Sequence, residues 1–271
     1  MHASARVPLT RLRTAFISDV HLGTKDCRAE LLLEFLESVQ LETLVLVGDI
    51  FDIWSMRKKV YWPQIHNDVV RAILGKAKRG TRVIYVPGNH DEVFRELDGT
   101  VFGNLEIHRE HIHVTAEGRR LLVLHGDEFD GAVRCSRWLE WLGNRAYDFV
   151  LWLNHGFNSL RRLIGFPYWS LASYLKHKIA NAVEYIGRFE QAAAHAARRR
   201  DVDGVICGHI HRAALREIDG VLYCNDGDWV ESCSTLVEDL NGRLALWNWM
   251  ERRAVAAPVA EVEPAGVGEA A

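Results

Sequence analysis

The sequence predicts a layered α/β fold carrying one inserted helical element, and three observations predict it. Short β-branched apolar runs recur along the chain. Amphipathic segments at helical spacing separate the early ones. One long central stretch changes both charge and composition. The strand candidates are 14–18 (TAFIS), 43–48 (TLVLVG), 82–88 (RVIYVPG), 121–126 (LLVLHG), 204–208 (GVICG) and 221–225 (VLYCN). Runs of about five apolar residues without strict alternation suit strands covered on both faces. The segments 29–40 and 65–80 place apolar residues at helical spacing, and the second ends at a glycine stop. Strand alternating with helix implies layers of sheet and helix.

The inserted element is 131–200. It reads as helical, broken at Gly143, Gly156, Gly165 and Pro167, and holds 12 of the chain's 26 aromatic residues. It carries 11 Lys and Arg against 4 Asp and Glu, a formal +7 in a chain of net charge -3, which leaves -10 for the remainder. The 271 residues are 48% hydrophobic and 25% charged, an ordinary globular composition able to bury a substantial core. The net charge excludes a generic polyanion binder. Residues 1–16 contain no apolar stretch of signal-peptide length. The longest central apolar run, 149–153, falls far short of the roughly 20 residues a membrane span needs. Five scattered cysteines (Cys27, Cys135, Cys207, Cys224 and Cys233) with no CxxC argue for reduced, mostly buried thiols in a cytoplasmic protein. The expected layout is an N-terminal extension over 1–13, one domain over 14–250 that includes the insert, and a disordered Ala-, Pro-, Gly- and Glu-rich tail over 251–271.

Five of the strand candidates run into side chains that bind divalent metals. After 14–18 come Asp19, Val20 and His21. After 43–48 come Asp49 and, three residues on, Asp52. After 82–88 come Asn89, His90 and Asp91. LLVL is followed by His125, Gly126 and Asp127, and GVICG by His209, Ile210 and His211. In open α/β sheets, sites form at the carboxyl ends of strands, so these residues should converge. Taken singly they are ordinary: Asp19 and Asp49 as helix N-caps, His125 as a hydrogen-bonded core histidine, Asp52, Asp91 and Asp127 as turn residues. Five such strand ends in one chain are not. The seven ligand candidates are Asp19, His21, Asp49, Asn89, His125, His209 and His211, too many for one ion. They suit two ions sharing a carboxylate, the arrangement that clamps attacking and leaving oxygens in phosphoryl transfer. Imidazole ligands favour manganese, iron, zinc or nickel over magnesium or calcium. The glycines before Asp49, Asn89 and His209 permit tight turns and close backbone approach.

The ordered set DVH (19–21), GDIFD (48–52), GNHD (88–91), HGD (125–127) and GHIH (208–211) resembles the calcineurin-like metallophosphoesterases over roughly 14–230. The resemblance implies a sandwich of two mixed β-sheets flanked by helices, with the insert as a helical cap. It implies that Asp19, His21 and His211 hold one ion, that Asn89, His125 and His209 hold the other, and that Asp49 bridges. It places His90 at the leaving group, oriented by Asp91, and gives attack on phosphorus to a metal-bound hydroxide. Manganese is the first expectation for both ions.

The insert bears on the substrate. Its cations suit a diphosphate, and its aromatics suit acyl chains or a membrane surface. A stripe of Trp138, Leu142, Phe149 and Leu153 serves equally as the insert's own core. The layout, with a helical insert after HGD and then GHxH, resembles the UDP-2,3-diacylglucosamine hydrolase family of lipid A synthesis, which releases UMP and a lipid phosphate. The chain departs from that family at His90, where the family carries Arg, and at Glu92, where it carries an aromatic. Lys176, Lys178 and Asn181 are the candidates for phosphate or sugar contacts. Three functions follow in order. The first is a hydrolase of a lipid-linked nucleotide diphosphate in peripheral contact with the inner membrane. The second is a phosphodiesterase or phosphatase on a soluble nucleotide or nucleic acid. The third is a non-catalytic metal-binding scaffold. The acidic remainder disfavours a nucleic-acid partner.

Overall fold

The computed structural model describes residues 9–133 and 171–256, with the side chains of 132–133, 171–182 and 253–256 left undescribed. In chain order the elements are β1 (Thr10–Ile17), α1 (Ala29–Ser38), β2 (Val39–Val47), α2 (Ile53–Lys58), α3 (Gln64–Lys78), β3 (Arg82–Val86), β4 (Val101–Phe102), β5 (Leu105–Ile107), β6 (His111–Val114), β7 (Arg120–Val123), α4 (Asp130–Val133), α5 (Leu171–Arg199), β8 (Gly204–Cys207), β9 (Ala214–Ile218), β10 (Val221–Asn225), β11 (Ser234–Glu238), β12 (Leu244–Asn248) and α6 (Trp249–Ala256).

Two mixed sheets form. The seven-stranded one runs β12-β11-β1-β2-β3-β5-β4, and the five-stranded one runs β6-β7-β8-β10-β9. Their centres are parallel, with β1, β2, β3 and β5 in one and β7, β8 and β10 in the other, and antiparallel strands close the edges. Phe16, Val45, Val47, Ile84 and Val86 meet Leu121, Val123, Ile206 and Cys224 between the sheets. The alternate residues Ile17, Leu44, Leu46, Val83 and Tyr85 face outward onto Leu32, Phe35, Leu36, Val69 and Ile73 of α1 and α3. Leu122, Val205 and Tyr223 face outward onto Phe189, Ala193 and Ala197 of α5. Each central strand is therefore apolar on both faces, which explains the unbroken hydrophobic runs. The result is the expected sandwich, layered helix, sheet, sheet, helix.

Three boundaries differ from expectation. β1 starts at Thr10, because Thr10–Leu12 pair with Val39–Leu41 of β2. α1 stops at Ser38, where Val39 turns extended and β2 begins. The expected tail starts in a helix, because Trp249 is 3% exposed and meets the Phe35 ring edge-on at 5.4 Å. Residues 134–170 of the insert and 257–271 lie outside the described residues. Cys27, Cys207, Cys224 and Cys233 are buried and unpaired, and burial pushes the Cys27 thiol up to about 12; Cys135 lies outside the described residues. No described helix is long and apolar enough to cross a membrane.

Glu238, at the end of β11, ties the two sheets together. Its fully buried carboxylate accepts from Arg13 Nη1 (2.6 Å) and Thr14 Oγ1 (3.0 Å) of β1, from the Ala116 amide (2.8 Å), and contacts His113 Nε2 (2.8 Å) of β6. Burial raises the carboxyl, but these partners outweigh it and hold its pKa down at about 2. A depressed carboxyl contributes stability above its unfolded pKa and loses it as pH falls through the folded one. Glu238→Gln is expected to lower stability at pH 7 by about 3 kcal/mol, from roughly 1.4 kcal/mol per pKa unit. Wild type and variant should converge between about pH 4.5 and 2. Urea melts across that window check it, and a difference independent of pH would refute the electrostatic account.

Candidate metal centre

The strand ends converge as the topology requires. Asp19 follows β1, Asp49 follows β2, Asn89 and His90 follow β3, His125 follows β7, and His209 and His211 follow β8. Three groups of side chains bring ligand atoms within 4.8 Å of one another: Asp19, His21 and His211; His21, Asp49 and His90; Asp19, Asp49 and His125. Asp19, His21 and Asp49 each belong to two groups, and Asp19 and Asp49 are the two carboxylates at the centre.

The loops are bent hard to achieve this. Asp19, His21, Asp49, His209 and His211 all have positive φ, from 51° to 69°, and are five of the eight non-glycine residues so placed among the described residues. Left-handed backbone at a non-glycine residue costs on the order of 1–3 kcal/mol and concentrates where geometry serves function. The first two loops are zipped by backbone bonds: Asp19 N to Gly48 O, Val20 N and His21 N to Asp49 O, Leu22 N to Ile50 O, and Asp52 N to Leu22 O. Two glycines are required by close approach. A Cβ on Gly88 would lie 2.2 Å from Asp49 Oδ1, and one on Gly208 would lie 2.4 Å from Asp19 Oδ2.

Each central carboxylate divides its labour. Asp19 Oδ2 accepts the His209 amide at 2.9 Å and Asp49 Oδ1 accepts the His90 amide at 2.8 Å. The other oxygens turn inward. Asp19 Oδ1 is 3.2 Å from His211 Nε2, and Asp49 Oδ2 is 3.4 Å from His125 Nε2 and 3.9 Å from both His21 Nε2 and His90 Nε2. Burial raises the Asp19 and Asp49 carboxyls, but the surrounding imidazoles outweigh it and both lie below the usual carboxylate range.

The histidines are oriented from behind. His125 Nδ1 lies 2.9 Å from the Val47 carbonyl, which only accepts, so Nδ1 is the donor and Nε2 is the nitrogen turned toward Asp49, with the lone pair when the ring is neutral. His21 Nδ1 lies 3.2 Å from Asp52 Oδ2, which likewise directs its Nε2 inward. Asp19 Oδ1, His21 Nε2, Asn89 Oδ1 and His125 Nε2 are all buried without a hydrogen-bond partner. Buried polar atoms are rarely left unpaired. Four converging orphans of N and O type fit divalent cations, and these residues suit the ions that the family uses.

The geometry differs from expectation at three residues. Asp91 was expected to orient His90, but it points the opposite way and is fully buried. Its carboxylate accepts from the amides of Gly88, Asp49, Ile50 and Phe51 and from the Tyr85 hydroxyl, so it organises the loops instead. Burial, with Asp49 nearby, raises its pKa. Asp52 is the carboxylate beside His90: its Oδ2 is 3.1 Å from His90 Nδ1, an ion-pair distance without hydrogen-bond alignment, while its Oδ1 caps α2 by accepting the Ser55 amide at 2.7 Å. His209 joins none of the three groups. Its Nε2 lies 2.9 Å from Asp130 Oδ1, and its ring sits 5.1 Å from that of His125. The side chains of Lys176, Lys178 and Asn181, on α5, lie outside those described.

Sequence reasoning also missed Trp54, whose ring lies 4.5 Å from that of His90, and Asp226, whose Oδ1 accepts from Ser18 Oγ at 2.6 Å behind Asp19. The signals were present in GDIFDIW (48–54) and in DGDW (226–229). Trp54 does not follow the strand-end pattern that marked the ligand candidates, whereas Asp226 does, directly after β10.

A double-sheet sandwich with carboxylates and imidazoles gathered at its strand ends defines a metallophosphoesterase. The chain belongs to the calcineurin-like phosphoesterases, whose family model matches residues 12–213. It is a hydrolase acting on phosphoester or diphosphate bonds. Curated relatives extend the match. A UDP-2,3-diacylglucosamine hydrolase of Klebsiella pneumoniae is 26% identical over 215 residues, covering 76% of this chain and 85% of that protein. Enzymes of the same name match from Psychromonas ingrahamii (27%, covering 82% and 92%) and Vibrio cholerae (26%, covering 83% and 94%). Among solved structures, a Vps29 of Entamoeba histolytica aligns at 13% identity over 86% of this chain and 89% of its own, with a TM-score of 0.42.

Proposed function

We propose that this hydrolase cleaves the diphosphate of UDP-2,3-diacylglucosamine or a related lipid-linked nucleotide diphosphate, using two divalent ions with manganese preferred. The observation that carries this reading is the extent of the match. The match runs over 83% of this chain and 94% of the Vibrio cholerae enzyme. The net +7 of the insert supports an anionic substrate, and its aromatics support a lipid one, in peripheral contact with the inner membrane.

In this reading Asp19, His21, His211 and Asp49 hold one ion, and Asn89, His125, His209 and Asp49 the other. When bound, such ions activate water and neutralise charge on phosphorus. Asn89 adds a carbonyl without charge, which preserves the centre's attraction for a diphosphate. His90, beside Asp52 at Nδ1 and against the Trp54 ring, gives a proton from Nε2 to the leaving oxygen in this reading. His90→Ala is expected to retain both metals and slow turnover by roughly 100- to 10,000-fold, most for poor leaving groups. Equal loss with good and poor leaving groups would argue against the acid role.

The deciding experiment compares turnover of UDP-2,3-diacylglucosamine with that of an aryl phosphodiester, with and without detergent, on manganese-loaded protein. Strong preference for the lipid nucleotide, with release of UMP, supports the proposal. His90, in the GNHD form, favours a second reading as a phosphodiesterase on other substrates. Comparable turnover of the aryl ester would favour that reading. Absence of any EDTA-sensitive hydrolysis would leave a scaffold.

A further inference from the structure

The metal centre and the inserted segment meet at one side chain. Asp130 opens α4, where the chain leaves for the insert, and its Oδ1 lies 2.9 Å from His209 Nε2. The Tyr185 hydroxyl, on α5 where the chain returns, donates to the same oxygen at 2.9 Å. Phe189, about one turn further along α5, lies against the His209 ring with centroids 6.1 Å apart and planes at 31°. Phe129, next to Asp130, meets Phe189 edge-on at 5.5 Å. Both ends of the insert therefore grip one imidazole.

A carboxylate accepts hydrogen bonds and does not donate them. A neutral His209 must then carry its proton on Nε2 to bond Asp130, and its lone pair stands on Nδ1. Histidine ligands bind metal through the neutral nitrogen and donate the other N–H to a carboxylate or carbonyl. His125 shows the same device with the two nitrogens exchanged, through Nδ1 and the Val47 carbonyl. His209 also has φ at 69° and its amide fixed on Asp19 Oδ2, so its backbone cannot easily compensate for a ring set free.

We propose that Asp130 is a positioning residue that couples the inserted segment to the metal centre. It fixes the His209 tautomer, presents Nδ1 to the ion shared with Asn89 and His125, and is itself held from the returning helix by Tyr185. This rests on the two-ion reading given above. Coupling is reciprocal. The hold of α4 and α5 on Asp130 and His209 therefore strengthens binding of that ion, and the bound ion in turn steadies the contact between α4 and α5.

The test is a manganese titration of the full chain by calorimetry, for wild type, Asp130→Ala, Asp130→Asn and Tyr185→Phe, with circular dichroism to establish folding. Wild type is expected to bind two ions. Asp130→Ala should bind one as wild type does and the other roughly 10- to 100-fold more weakly. Asp130→Asn, whose amide oxygen still accepts from Nε2–H, should recover most of that affinity, and Tyr185→Phe should show a smaller loss of the same ion. The manganese concentration for half-activation should rise in Asp130→Ala. Two ions bound to Asp130→Ala at wild-type affinity would overturn the coupling and leave the metal centre standing. No manganese uptake by wild type would overturn both. If Asp130→Ala does not fold, Tyr185→Phe decides, and unchanged affinity for both ions there overturns the proposal.

Discussion

Asp49→Ala is expected to lose both metal ions and more than about 1,000-fold of activity. A single electrostatic group at a reacting centre is commonly worth about 100- to 1,000-fold, and Asp49 is the carboxylate that faces three imidazoles at once. Its Oδ2 lies within 3.9 Å of His21, His90 and His125, and its Oδ1 anchors the His90 amide. Removal therefore takes away a shared ligand and loosens the loop that carries Asn89 and His90. Metal content after gel filtration, read beside turnover, is the check. A variant that keeps two ions would end the bridging role, whatever its activity. Asp49→Asn retains the hydrogen bond to His90 but not the charge, so it should keep the fold and lose most of the metal.

The second large effect concerns stability. Asp91→Ala is expected to destabilise the protein by about 3–5 kcal/mol, because four backbone amides and the Tyr85 hydroxyl lose their buried acceptor together. An unsatisfied buried donor costs about 1–3 kcal/mol, less than additively when loops can relax. At about 2–4 °C per kcal/mol for a chain of this size, the melting temperature should fall by roughly 10 °C. Thermal unfolding monitored by circular dichroism measures it. A variant that melts with the wild type yet has lost turnover would return Asp91 to the catalytic group.

The contrast between His90 and Asp91 shows where sequence becomes silent. Both stand in GNHD, one residue apart, and the same spacing suits either as an acid, a ligand or an orienting carboxylate. Adjacent residues leaving a strand point to opposite sides, and which side faces the centre depends on β2 and Tyr85, which are remote in sequence. Asp52 was legible only as a turn residue, since its second role needs His21 and His90 brought together by the fold. The convergence of Asp19, His21, Asp49, His125 and His211 was legible because the signal is local: each follows a strand end within a few residues, and glycines mark the tight approaches. The sandwich was legible in its central strands, whose two covered faces leave continuous apolar runs. It was not legible at its margins, where β4, β5 and β9 are short and partly exposed. Trp249 was passed over because a single buried indole ahead of an Ala-rich stretch carries no periodicity.

The five left-handed ligand residues have a consequence for how this protein persists. Their conformational cost, on the order of 5–10 kcal/mol if each carries 1–2, burdens the chain whether or not an ion is present. An ion that binds only the folded state offsets such a cost by mass action, by about 2.7 kcal/mol at a free concentration one hundred times its dissociation constant. Metal bound at this centre would thus act on two quantities at once, the rate per molecule and the fraction of molecules that stay folded.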